Sequence, residues 1–200
     1  GVFSFCMCPG GIIAPASTRQ GALVVNGWSP SKRNNLWANS GMVVTVDQKD
    51  FASDHPLAGL EYQYAIERRA FEHGGGLFKA PAQRISDFVT RSRSASLPAC
   101  SYLPGVQSAL LHDVLPENVY TALQKAFQYF NKRMKGFVSQ EAVVVACESR
   151  TSSPVRIPRH KEFLYHPQLN NFYPCAEGAG YAGGIVSAAL DGIRIAEQLK

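Results

Sequence analysis

Residues 173–191, Tyr-Pro-Cys-Ala-Glu-Gly-Ala-Gly-Tyr-Ala-Gly-Gly-Ile-Val-Ser-Ala-Ala-Leu-Asp, constrain this chain more than any other stretch. Gly178, Gly180, Gly183 and Gly184 interrupt regular structure, and helical spacing begins directly after them. The pattern reads as a short apolar strand over Asn171–Cys175, an acidic residue, a glycine-rich turn and a helix to the C-terminus. On that helix Ser187, Asp191, Arg194 and Gln198 share one side, and Ile185, Ala189, Ile193 and Ala196 line the other. A helix start presents unpaired N–H groups and the positive end of a dipole. Glycines ahead of it let an anionic or electron-rich group approach, and a carboxylate such as Glu177 can accept from a sugar hydroxyl. Two readings stand open on spacing alone: a dinucleotide site, or a tightly packed strand–turn–helix without a ligand.

The remainder of the chain supplies strands first and helices afterwards. Val2–Cys8, Ile12–Ala16, Ala22–Trp28 and Met42–Val46 are apolar or alternating, with turn residues between them, and predict a meander or partial barrel. Pro56 opens a helix to about His73, stopped by Gly74-Gly-Gly76. A short helix is expected at Ile85–Arg91. Pro116 starts a clearer one to about Lys135, with Val119, Leu123, Ala126, Phe127, Phe130 and Met134 as its apolar stripe. Ala142–Cys147 is a continuous apolar run suited to a buried strand. The fold class is therefore α+β, with a soft boundary near 137–141.

Composition narrows the function. Of 200 residues, 46% are hydrophobic, enough for a real core, and no apolar run reaches membrane-spanning length. The net charge of +5 is spread over scattered basic residues, which argues against a nucleic-acid footprint. Five cysteines and the lack of a basic leader before the apolar Gly10–Ala16 segment fit a reduced, cytoplasmic compartment. Cys6 and Cys8 form C-x-C on an expected strand, which points both to one face. With no second ligand pair to complete a zinc site, they are expected to pack as small hydrophobes. The dispersed histidines and the lack of a G-x-S-x-G motif argue against a hydrolase, and no residue stands out as catalytic.

Four stretches together resemble a bacterial family of FAD-dependent dehydrogenases distantly related to the glutathione-reductase-like flavoproteins. They are Phe5–Gly11, the run from Asn26-Gly-Trp-Ser to Ala38-Asn-Ser40, Glu148–Ile157, and the glycine-rich stretch itself. One departure is Ala176, where the family pattern usually has glycine before the acidic residue.

The resemblance implies an FAD-dependent oxidoreductase that transfers hydride through its flavin. Residues 1–140 would form a substrate-side domain, and residues 141–200 would return to the flavin domain. Glu177 and Gly178 would face the ribityl and phosphate side. Ala179, Gly180, Tyr181 and Ala182 would complete the turn. Gly183, Gly184 and Ile185 would aim the helix start at the pyrimidine edge of the ring. Arg150, Thr151 and Ser152 would face flavin or substrate; the alternative is a strand-end ion pair with Glu148 and a turn. No N-terminal G-x-G-x-x-G fingerprint is present. The chain is accordingly expected to be the C-terminal part of a longer protein. Alone it would bind no FAD, and it would partner with the missing FAD-binding part or with a second copy. A small-molecule substrate is implied; nucleic acid, membrane and metal are not. The competing reading is a non-catalytic module that binds a partner or small molecule.

Overall fold

The computed structural model describes residues 1–199; Lys200, the last residue of the expected 141–200 segment, lies outside them. The chain divides into two compact units, residues 1–47 with 64–149, and residues 48–63 with 150–200.

The first unit holds all seven strands that the described residues form. β1 (Val2–Cys8) pairs antiparallel with β4 (Asn39–Val44), with Val2 opposite Val44. β2 (Ile12–Pro15) pairs antiparallel with β3 (Val25–Trp28). β5 (Ala80–Arg84) lies between β6 (Val106–Ser108), parallel to it, and β7 (Val143–Val145), antiparallel to it. Three small sheets thus stand where a meander or partial barrel was expected, and the class is α+β.

The register of β1 shifts between Phe5 and Cys8, and Cys6 sits at φ 49°. This bulge breaks the two-residue alternation, so Cys6 is exposed while Cys8 is buried. The expectation that both thiols share a buried face is therefore corrected at Cys6.

Helices complete the core. α1 (Ala58–His73) starts two residues after Pro56, and Gly75 and Gly76, at φ +86° and +80°, end it. α2 (Ile85–Thr90) and α3 (Leu111–Val114) are short, and α4 (Glu117–Arg133) is the longest helix. Tyr120, Leu123 and Phe127, at helical spacing on α4, are its buried face. Phe88 of α2 meets the rings of Tyr120 and Phe127 at 4.3 and 5.2 Å. Gln83, fully buried in β5, satisfies both ends of its amide. Its Nε2 donates to Ser92 O at 2.7 Å, and its Oε1 accepts from Leu111 N–H at 3.0 Å.

A buried extended segment, Ala22–Val25, ties α1 to the strand-end residues after β7. Leu23 N–H donates to Glu67 O and Val25 N–H to Cys147 O, each at 2.9 Å. Glu67, only 1% exposed, accepts from the Ser149 hydroxyl at 2.8 Å. Burial pushes the Cys147 thiol up to about 12, so it stays protonated.

The second unit has little regular structure: 3-10 turns at Gln48–Asp50 and Glu177–Ala179, the first residues of α1, and α5 (Ile185–Gln198). The strand expected over Asn171–Cys175 does not form. Asn171 adopts φ 55°, Pro174 has no N–H to give a ladder, and the Pro174 carbonyl accepts from Arg159 Nη1 at 2.9 Å. A side chain takes the place of the strand partner.

Candidate functional site

The glycine-rich turn is built by its own backbone. Gly180 N–H donates to Glu177 O at 2.9 Å and Tyr181 N–H to Ala176 O at 3.0 Å, which folds residues 176–181 into one compact turn. A second segment holds that turn from outside. Ile157 N–H donates to Ala179 O at 3.1 Å, and the Tyr181 hydroxyl donates to Ile157 O at 2.7 Å. Gly180 is required by this packing: its φ is +81°, and a Cβ there would meet Val155 O at 2.7 Å.

Gly178 and Gly183 differ in kind. Neither has a left-handed φ, and a Cβ on either would meet nothing within 4 Å. Nothing in the turn's own fold asks for glycine at these two positions. Gly184 starts α5 at φ −119°, donating its N–H to Ser187 Oγ at 3.1 Å and accepting the Ser187 hydroxyl on its carbonyl at 2.9 Å.

A pocket of about 220 Å³ opens here, lined by Ser152, Ser153, Glu177, Gly180, Tyr181, Ala182 and Gly183. Of the expected cofactor residues, the structure brings Glu177, Gly180, Tyr181, Ala182 and Gly183 to this pocket. Gly178 is exposed beside them, Ala179 is buried beneath them, and Gly184 and Ile185 lie at the exposed start of α5. Of the substrate-side candidates, Ser152 lines the pocket, while Arg150 and Thr151 are not among its lining residues. Hydroxyls, one carboxylate and open backbone suit the polyol or ring of a flavin nucleotide. The volume lies below the usual range for small-molecule sites, roughly 300–1,000 Å³, and no Lys or Arg lines it. The residues present therefore fit one portion of FAD and not the whole dinucleotide.

Sequence reasoning missed the groups that brace the turn. Arg159 makes a two-pronged ion pair with Asp191 of α5, Nη1 to Oδ2 at 2.9 Å and Nη2 to Oδ1 at 2.7 Å. The side chains are only 7% and 11% exposed. Ala176 N–H donates to Asp191 Oδ2 at 2.8 Å. These hydrogen bonds, Arg159's foremost, hold the Asp191 carboxyl down at about 2 despite its burial. The Arg159 guanidinium also stacks on the Tyr181 ring at 3.7 Å, and Arg156 sits over the same ring at 4.4 Å. The pairing spans 32 residues, so no local spacing announces it. A carboxylate within a polar helix stripe reads as solvated. Among the described residues no cluster of His, Cys, Asp or Glu could hold a metal ion, and no helix is long and apolar enough to cross a membrane.

Two comparisons relate the chain to known proteins. A family model described as FAD-dependent protein, C-terminal domain-like, matches residues 1–151. A protein of Clostridium beijerinckii, itself described only as uncharacterized, is 43% identical over 201 residues. That match takes in 100% of this chain and 38% of the relative. The family model ends before the glycine-rich turn, whereas the relative's match runs through it.

Proposed function

Because the chain belongs to the family of FAD-dependent protein C-terminal domains, we propose that it is the C-terminal portion of an FAD-dependent oxidoreductase. In this reading the turn at 177–184 holds one part of the flavin nucleotide. The observation that carries the reading is the pair of open glycines, Gly178 and Gly183, beside the pocket. Glycine at a position where the chain itself has room for a side chain is explained by a ligand that needs that room. When bound, FAD would supply hydride transfer; the chain would supply Glu177 and Ser152 as partners for hydroxyls, and the α5 start as a positive dipole end.

The longer polypeptide would bring the pyrophosphate grip that this pocket lacks. A partner of that kind is also supported by α5, whose Ile185, Val186, Leu190 and Ile193 are 93%, 71%, 60% and 57% exposed. A substrate-side role for residues 1–140, a small-molecule substrate, a cytoplasmic setting and a distant relationship to the glutathione-reductase-like flavoproteins belong to the same proposal. The test is the visible spectrum and flavin content of the full-length protein. Wild type is expected to carry FAD. Gly183→Val is expected to lose at least tenfold in flavin content with an unchanged circular dichroism spectrum. Full flavin content in that variant, or a colourless wild type that FAD does not titrate, would overturn the proposal and favour a non-catalytic binding module.

A further inference from the structure

Asp191 lies outside the pocket lining, on a helix, yet it holds both ends of the turn that forms the pocket wall. At one end its Oδ2 takes the Ala176 N–H at 2.8 Å, immediately before Glu177. At the other end it anchors Arg159, whose guanidinium lies 3.7 Å from the centroid of the Tyr181 ring. Arg159 is itself held a second way, its Nη1 also donating to the Pro174 carbonyl at 2.9 Å. The Tyr181 hydroxyl is fixed separately on Ile157 O, so ring and hydroxyl are set from two directions.

We propose that Asp191 is a positioning residue for the ligand at the glycine-rich turn, acting through Ala176 on Glu177 and through Arg159 on Tyr181. This rests on the reading that the turn holds part of a flavin nucleotide. The physical argument is one of geometry. The turn's own hydrogen bonds close the loop between residues 176 and 181 but leave the tilt of its two pocket-facing groups to outside supports. A guanidinium fork on a carboxylate fixes direction as well as distance, which a lysine ammonium cannot do. Glu177 is exposed and its carboxylate makes no hydrogen bond among the described residues, so its aim is inherited from the backbone that Ala176 leads into.

The experiment is titration of FAD into flavin-stripped full-length protein, followed by flavin fluorescence and by melting temperature. Asp191→Asn keeps the size and one oxygen but loses the fork; it is expected to weaken FAD binding at least tenfold. Arg159→Lys keeps the charge and loses the fork, so it is expected to weaken binding to a similar extent, and it serves if Asp191→Asn does not fold. Tyr181→Ala is expected to weaken binding alone. Asp191→Asn added to Tyr181→Ala is then expected to cost less than half, on a logarithmic scale, of what it costs in wild type, because one of its two targets is gone. Losses that simply add would show that Asp191 acts through general stability, and would overturn the inference. So would wild-type affinity in Asp191→Asn and Arg159→Lys, an outcome that leaves flavin binding itself intact. A wild type that binds no FAD sinks the functional reading, and this inference with it.

Discussion

Ala176 occupies a backbone conformation that its side chain resists. Its φ of 54° and ψ of −149° fall in a region populated almost only by glycine. The conformation persists because the residue is held at both backbone polar groups: its N–H by Asp191 and its carbonyl by Tyr181 N–H. Strain in that region costs about 1–3 kcal/mol, and glycine returns about 0.5–1 kcal/mol of it as lost chain entropy. Ala176→Gly is therefore expected to stabilise the second unit by about 1 kcal/mol, measured as a higher urea midpoint at unchanged slope. A lower midpoint would mean that the methyl group packs usefully.

At the scale of elements, α4 carries Tyr120 and Phe127, two of the largest buried side chains of the first unit. Phe127 is 2% exposed and packs edge-on against Phe88. Removing such a ring costs roughly 3–5 kcal/mol, because a cavity is added to the lost transfer energy. Phe127→Ala is expected to fall in that range by chemical denaturation; a loss below 1 kcal/mol would place the core elsewhere. This helix was legible in the sequence because a 3.6-residue stripe, a leading Pro116 and a closing Gly136 all agree. Gly74–Gly76 likewise marked the end of α1. Less could be read where long-range partners override local pattern. The run 171–175 is apolar enough for a strand, yet Arg159 occupies the Pro174 carbonyl. Cys6 leaves its face because of a bulge that no turn residue signals. The start of the site was readable from its glycines. Its bracing was not, since Arg159 and Asp191 meet across 32 residues.

For the whole molecule, the exposed side of α5 sets the question of what lies against it. Its inner side is narrow: Ile195 is buried and Asp191 is paired to Arg159, while the larger aliphatic residues face away. The chain spans 38% of the length of its Clostridium beijerinckii relative, which leaves ample polypeptide in such a protein to cover that side. Ile193→Lys in the 200-residue chain is expected to leave the melting temperature within about 1 °C of wild type, because it buries no charge, and to lower binding of an apolar fluorescent dye. In the full-length protein the same change is expected to destabilise by more than 2 kcal/mol through burial of an unpaired charge. Equal melting in both settings would show that the longer protein leaves α5 uncovered. A concentration-dependent mass that the substitution abolishes would assign the face to a second copy.

The division of the chain also has a consequence for its birth. The second unit draws on residues 48–63 and on residues 150–200, and residues 64–149 of the first unit are written between them. At ribosomal speeds of roughly 5–20 residues per second, residues 48–63 leave the tunnel about 4–17 s before the second segment of their unit begins to emerge. Phe51 and Tyr62, whose rings lie 5.6 Å apart in the finished chain, both belong to this early segment. The first unit meanwhile gains every strand it needs, β7 last, before the glycine-rich turn has been synthesised. Synthesis order thus leaves residues 48–63 waiting for the segment that begins at residue 150 before their own unit can form.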